Sequence, residues 1–577
     1  MRRVLLLTAG LLLAPSAPLA AQAAPAPGGA LEPCDLPGVG PARCGSLEVW
    51  ENRQAKSGRR ITIHFAVLPA TGTATGDPLV PLPGGPGQPT IALAGALTDM
   101  VRALRDTRDV LLVDLRGTGT SNSLECRLYG PSTAEFAGPF YPPERVRDCV
   151  RELGGRADLA RYTTDDAVDD LDDVRAALGY DRLNLYGTSY GTRTALVYMR
   201  RHPRHVRSAI LHGVAHTGYR MPGRLAADAQ RMVEAAIGDC EREAACGAAF
   251  PGLRGDLRSI TGRLERGPVE VTLMDPGTGE PATLSFSRGL FAEGLRYMLY
   301  TAGTAALIPT VLHQGARGDL APAAELALAS RRGIVSAMSN GLFLSVTCAE
   351  DVPFVDRDQA ARAARGTFVG ESRLRDQAAA CAEWPARPVD PAFLEPVRSD
   401  APVLIISGQY DPATPPERGE EALRTLPHGR HLVIPGAGHG LSGSLGAREC
   451  VPRLLAEFVR AADARGLDAS CVASIHRPPF RLNPIAARPV TLPAPELAAH
   501  AGSFAAPGAP PMEIRLENGR LRLMVQGQTF VLVPVGPEQF RVAGAPQLSV
   551  TFAREAGVVK SLTVEGTGQG TLTYTRQ

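Results

Sequence analysis

The chain has 577 residues, more than one compact core of roughly 100–200 residues accommodates, so several structural units are expected. Apolar residues make up 44% and charged residues 21%, with 61 basic against 59 acidic residues and a formal charge of +2. This globular composition excludes a small disulfide scaffold and global disorder, and near-neutrality leaves no overall electrostatic attraction for nucleic acid or anionic membrane.

The N-terminus has the three regions of a secretory signal peptide: Arg2 and Arg3, an apolar run from Val4 to Leu13, and the small-residue exit Ala21-Gln22-Ala23. Residues 1–23 are expected to be a leader, because the run falls short of the roughly 20 residues a spanning helix needs. Export, to the periplasm or the medium, puts the ten cysteines in an oxidising compartment. Pairing of sequence neighbours is expected: Cys34 with Cys44, Cys126 with Cys149, Cys240 with Cys246, Cys348 with Cys381, and Cys450 with Cys471. No C-x-x-C spacing points to a metal, and neither metal nor cofactor is expected.

From Ile61 onward short apolar runs alternate with helical patterns, the rhythm of a mostly parallel sheet wrapped in helices. Strands are predicted at Ile61–Leu68, Leu79–Leu82, Val110–Val113, Leu183–Tyr186, Ala209–Leu211, Val403–Ile406 and His431–Ile434. Ahead of the fourth run, Ala167, Leu171, Val174 and Leu178 follow helical spacing. Opposite them stand Asp165, Asp166, Asp169, Asp170, Asp172 and Asp173, expected to form a solvated face. The strand rhythm lapses between about Ala215 and Pro396, where helical patterns such as Phe291–Leu299 dominate. The expected organisation is an α/β core in two parts, 24–214 and 397–475, split by a mainly helical cap at 215–396. A proline-rich linker, 476–495, follows. Beyond it, 496–577 alternates polar and apolar residues around Glu517-Asn518-Gly519, as a small antiparallel β domain does.

Leu183-Asn184-Leu185-Tyr186-Gly187-Thr188-Ser189-Tyr190-Gly191 is G-x-S-x-G between a predicted strand and a predicted helix. Small residues on both sides permit the sharp turn that lifts a serine hydroxyl above the sheet. A nucleophilic serine needs a base and an orienting acid; Asp411 and His439 each lie just past a later strand, in the chain order Ser, Asp, His. His428 and His431 precede their strand and belong at the other end of the sheet. The loop Pro83-Gly84-Gly85-Pro86-Gly87 lets backbone N–H groups approach a substrate carbonyl, so Gly85 and Tyr190 are assigned as the oxyanion donors. Asp114 and Arg116 read as a structural turn with a local ion pair.

Together these motifs resemble the α/β-hydrolase fold, and more closely the secreted proline iminopeptidase and tripeptidyl aminopeptidase group of serine exopeptidases. The resemblance runs from about Cys34 to Cys471, through the Gly-Gly-Pro-Gly loop, Asp114-Leu115-Arg116-Gly117-Thr118-Gly119, the Ser189 motif, Asp411-Pro412, Gly438-His439 and Cys348-Ala349-Glu350-Asp351. It departs at His212, where the group tends to carry aspartate, and at Pro83, where iminopeptidases usually have histidine. The resemblance implies a secreted aminopeptidase acting through an acyl-enzyme on Ser189 and releasing a single residue, proline among the candidates, or a tripeptide from a peptide with a free N-terminus. Such an enzyme must hold an α-ammonium, a role given to Glu350 and then Asp351 under the cap. An esterase with the same triad and a binding protein on an inactive hydrolase fold remain the alternatives.

Overall fold

The computed structural model describes residues 31–577 except 96, 98–101, 131, 276–277, 486–488, 508, 526–527 and 567–570. The expected leader, 1–23, lies outside the described residues. The apolar runs pair into one sheet of β1 (Glu32–Leu36), β2 (Gly40–Trp50), β3 (Arg60–Leu68), β4 (Leu79–Leu82), β5 (Val110–Val113), β6 (Leu183–Thr188) and β7 (Val206–His212), continued late in the chain by two more strands. Between them the cap contributes a hairpin, β8 (Val269–Met274) and β9 (Pro281–Phe286). The late strands are β10 (Val403–Gly408) and β11 (Gly429–Ile434). The order across the sheet is β1-β2-β3-β5-β4-β6-β7-β10-β11, antiparallel from β1 to β5 and parallel from there on.

The middle strands are mostly apolar because both faces are covered. Period-two alternation divides them: Val80, Leu111, Leu185, Leu211 and Ile405 pack with the helices Thr164–Ala177 and Tyr190–Arg201. Leu79, Leu112, Tyr186, Ile210 and Leu404 pack on the other face with Leu454, Leu455 and Phe458 of the helix Ala447–Ala461. All five disulfides join sequence neighbours as expected.

Three local expectations are corrected. The sheet starts earlier than Ile61, with a β1–β2 hairpin pinned by Cys34–Cys44. The aspartate-rich helix face is not simply solvated. Asp170 is fully buried and takes Arg116 Nε at 2.6 Å and Nη2 at 2.8 Å, while Arg201, His202 and His205 bond to Asp169 and Asp172. Arg116 therefore does not pair with Asp114, whose carboxylate accepts the Ile91 N–H. A guanidinium with no exposure needs a carboxylate and carbonyls around its whole fork, and Asp170 with the Glu51 and Arg161 carbonyls supplies them.

After the last core helix, the proline-rich stretch lies along the cap: Phe480 and Ile485 are buried in the cap's core, and Arg481 N–H donates to Ala306 O. The C-terminal strands β12 (Gly502–Ala505), β13 (Met512–Glu517), β14 (Arg520–Val525), β15 (Gln528–Pro534), β16 (Gln539–Val542), β17 (Ala545–Glu555), β18 (Val558–Glu565) and β19 (Leu572–Arg576) close into an antiparallel barrel. Asn518 and Gly519 turn β13 into β14 with positive φ. The barrel rests on the cap through buried Arg541, which donates to both oxygens of buried Glu325 at 2.7 and 3.2 Å. Removing one partner of such a pair strands the other charge. Arg541→Met is expected to lower the thermal unfolding midpoint, at a cost of about 3 kcal/mol. Adding Glu325→Gln, which keeps an acceptor for the Met274 N–H, should recover most of the loss, as differential scanning calorimetry would show.

Candidate active site

Ser189 sits between β6 and the helix Tyr190–Arg201 at φ 55°, ψ −123°, a conformation that costs a non-glycine residue roughly 1–3 kcal/mol. The surrounding crowding enforces it. A Cβ on Gly191 would stand 1.8 Å from the Leu82 carbonyl oxygen, so the helix start fits against β4 only without a side chain there. The Ser189 N–H donates to His212 O at 2.8 Å, fastening the turn to the end of β7. The Gly84–Gly85 loop lies against the serine, with the Cβ position of Gly84 3.0 Å from Ser189 Cβ.

Past β10, Asp411 is fully buried; past β11, His439 Nδ1–H donates to Asp411 Oδ2 at 2.8 Å. The other carboxylate oxygen accepts the N–H groups of Ala413 and Thr414, both at 2.8 Å, and Thr414 Oγ1–H donates to Oδ2 at 2.7 Å. Burial by itself raises the Asp411 carboxyl, but His439 and the Thr414 donors outweigh it and hold the group at about 2. The pair stands beside the serine turn because Gly213, the residue after β7, has φ +68° and no side chain; a Cβ there would be 2.8 Å from Thr414 Oγ1 and 3.4 Å from Asp411 Oδ2. With Nδ1 occupied, His439 presents Nε2 as its free acceptor.

Tyr190 opens its helix, so its N–H has no intrahelical acceptor. Its hydroxyl donates to Thr164 Oγ1 at 2.8 Å, and Thr164 donates its own hydroxyl and N–H to Glu350 at 2.8 and 2.7 Å. Glu350 is therefore spent within the protein, taking Arg193 Nη1 as well at 3.3 Å. Burial pushes its carboxyl up to about 7 against the pull of Arg193 and Thr164. Asp351 accepts Arg193 Nη2 at 2.9 Å and, unlike Glu350, lines a crevice of about 20 Å³ together with Gly85, Pro86, Tyr190 and Arg193.

His212, the departure from the resembled pattern, is buried beside the pair with Nε2 unbonded. Burial, then His439, pushes its imidazole down to about 4, so it is neutral near pH 7 and adds no charge next to His439. His431 lies inside β11 and bonds Ser407 Oγ, and His428 precedes that strand. Sequence reasoning passed over Thr414, Arg193 and Tyr300. Thr414 had a signal, a side-chain turn three residues after an aspartate. Arg193 and Tyr300 had none, since their partners are remote in sequence.

Comparison with known proteins gives two family models: alpha/beta hydrolase fold over residues 77–245, which includes Gly85 and Ser189, and TAP-like protein over 366–471, which includes Asp411 and His439. The serine protease Hip1 of Mycobacterium tuberculosis is 28% identical over 444 residues, covering 69% of this chain and 82% of that protein. The tripeptidyl aminopeptidase of Streptomyces lividans is 25% identical over 430 residues, covering 70% and 79%. The solved proline iminopeptidase of Mycobacterium smegmatis aligns at 18% identity with a TM-score of 0.36, covering 73% of this chain and 99% of that one.

The depressed Asp411 carboxyl makes stability depend on pH. Its contribution is full above the unfolded value near 3.9 and is lost as pH falls through about 2. Asp411→Asn lacks that term, so its stability difference from the parent should shrink by roughly 2–3 kcal/mol between pH 5 and pH 2 in urea titrations. A pH-independent difference would contradict this.

Proposed function

We propose that this chain, an α/β-hydrolase with a TAP-like segment, is an exported serine aminopeptidase in which Ser189, His439 and Asp411 form the catalytic triad. The carrying observation is the acidic crevice beside the oxyanion loop. Arg193 is one buried cation held by two carboxylates, Glu350 and Asp351, which leaves an excess negative charge next to Gly85 and Tyr190 when both are ionised. Its volume, about 20 Å³, suits a group the size of a water molecule, as an ammonium is. An ester hydrolase has no use for such a charge; an enzyme that grips a peptide's α-ammonium needs one. Asp351 makes the contact and Glu350 stands behind it, holding Thr164 and thereby Tyr190.

In this reading His439 Nε2 takes the Ser189 proton as Oγ attacks the scissile carbonyl, and the N–H groups of Gly85 and Tyr190 receive the oxyanion. His439 then gives the proton to the leaving amine as the C–N bond breaks, while Asp411 keeps the imidazole in the Nδ1–H tautomer. Water repeats the cycle on the acyl-enzyme. The five disulfides support an oxidising compartment, and among the described residues no helix is long and apolar enough to cross a membrane. The serine protease and tripeptidyl aminopeptidase relatives support the peptidase class.

Ser189→Ala should abolish fluorophosphonate labelling that the parent shows. N-acetylation of a peptide substrate should cost at least tenfold in kcat/KM, and Asp351→Asn should raise KM for the free peptide with little effect on the acetylated one. KM should fall as pH rises through about 7 and Glu350 ionises against Arg193, then climb above roughly 8 as the α-amine loses its proton. Equal turnover of free and acetylated peptides in the parent rejects the aminopeptidase reading.

A further inference from the structure

A second and much larger cavity, about 940 Å³, opens between the cap and the segment 134–140 of the first core part. Six arginines and four carboxylates line it, so its wall carries excess positive charge. Three of the arginines are paired: Arg288 with Glu265, Arg331 with Glu293, and Arg375 with Asp376. Arg365 is on the exposed rim. Arg296 and Arg373 are the unusual ones. Arg296 is buried, its guanidinium lying 4.3 Å from the Tyr297 ring centroid and 5.3 Å from that of Tyr300, with Nη1 donating to Tyr300 Oη at 2.8 Å. Arg373 lies 3.9 Å over the Phe140 ring, donates to Tyr141 Oη at 3.3 Å, and has a buried Nε–H without an acceptor. Neither has a carboxylate partner among the described residues. Buried guanidiniums are normally paired, and one resting only on aromatic faces and phenols keeps most of its five donors for something else.

The cavity's wall lies close to the reacting centre. Tyr300 bridges it to the reacting centre, its ring 4.7 Å from that of His439 and its hydroxyl on Arg296. The two steps, 4.7 Å and 5.3 Å, put the Arg296 guanidinium within about 10 Å of the imidazole. In the peptidase reading His439 hands its proton to the leaving amine, so a fragment departing on the Tyr300 side of its ring would come within reach of the two guanidiniums. An extended chain advances about 3.3–3.6 Å per residue, and two to three residues span the gap. Lining the same cavity, Glu293 gives Oε2 to Arg331 and acts on Arg296 only through space, with no ion pair between them among the described residues.

We propose that Arg296 and Arg373 form an anion subsite for the leaving fragment, so that the enzyme selects peptides with a carboxylate two or three residues beyond the scissile bond. The carboxylate comes either from the free C-terminus of a short peptide or from an aspartate or glutamate side chain. This subsite rests on the peptidase reading above and adds to it the class of peptide that reading leaves open. Both ends of the substrate would then be read by charge: the ammonium at Asp351 and the carboxylate at Arg296 and Arg373.

The test uses full-length protein and oligoalanines of three to eight residues as free acids and as C-terminal amides, with product masses locating the cleaved bond. Amides carrying Glu or Gln at the second or third position past that bond report the side-chain source. The proposal expects the acids to exceed the amides at least tenfold in kcat/KM when two or three residues leave, with the preference fading for longer fragments. It expects Glu to exceed Gln within the amides if the side chain is a source. Arg373→Gln, at a half-buried position, and Arg296→Gln should each bring the acid-to-amide ratio toward one, and Arg373→Lys should keep part of it. A loss of folding would lower both substrates together and leave the ratio alone. Equal rates for acids and amides in the parent, or a ratio that survives both glutamine variants, overturn the subsite while leaving the peptidase reading intact. Failure to cleave any peptide, with Ser189 still labelled by fluorophosphonate, overturns the peptidase reading and the subsite with it.

Discussion

The close approach of three backbone segments at one point, the end of β4, the end of β6 and the first turn of the helix Tyr190–Arg201, fixes the geometry of the site. Leu82 O occupies the space a side chain at Gly191 would need, and Gly191 O occupies the space a side chain at Gly187 would need, so both small residues of the motif are required by packing. Given that crowding, the chain can turn only through the strained conformation of Ser189, and the hydroxyl must leave the sheet upward. The hydrogen bond from Ser189 N–H to His212 O then carries the constraint sideways into β7, and Gly213 N–H donating to Ile406 O carries it into β10. Asp411 and His439 stand where they do because each strand is indexed to its neighbour by the same ladder.

The cap is tied into that arrangement by its backbone. Ser339 N–H donates to Gly87 O at 2.8 Å, fastening the glycine loop that lies against Ser189. His439 N–H and Gly440 N–H donate to Leu299 O and Tyr300 O at 3.3 and 2.8 Å, fastening the histidine loop. Both loops beside Ser189 are therefore braced from above as well as from the sheet. Rigid support of this kind holds reacting groups near productive geometry. The same elements carry the cap's charged groups: Glu350 ends the helix that starts at Asn340, next to Ser339, and Asp351 caps it, while Arg296 lies on the helix that runs into Leu299 and Tyr300.

Much of this was legible in the sequence because local pattern and local chemistry agreed. Apolar runs such as Leu79–Leu82 and Val110–Val113 became strands with those bounds, and the order Ser189, Asp411, His439 together with strand-end positions placed these three residues in one region. Elements whose signal was mixed were missed. β1 is half exposed and carries Glu32, Pro33 and Asp35, so no alternation stands out. In the cap, β8 and β9 form an isolated hairpin in a helical block, where the alternation of Val269, Val271 and Leu273 was overridden by its surroundings. Long-range electrostatic partners were not legible at all. Asp114 and Arg116 are adjacent in pattern, but the buried guanidinium finds Asp170 across 54 residues. The Glu350 and Asp351 pair could be located under the cap, but not that Arg193 would hold both and leave only one facing the crevice.

The arginine-rich composition takes on a physical meaning in three dimensions. The chain has only two lysines, Lys56 and Lys560, so nearly every basic group is a guanidinium. Arginine stays charged when buried and demands partners around a planar fork. Arg116, Arg193 and Arg541 meet that demand with Asp170, with Glu350 and Asp351, and with Glu325, and each thereby joins elements distant in sequence: core to helix, helix to cap, barrel to cap. Such saturated pairs serve position rather than net stability, since desolvation offsets much of their attraction. Against that background an arginine left on aromatic faces is informative. Buried Arg296 and half-buried Arg373 have no carboxylate partner among the described residues, a state that persists only where the rest of the fold holds it. Arg296 stands beside Tyr300, whose ring packs against that of His439.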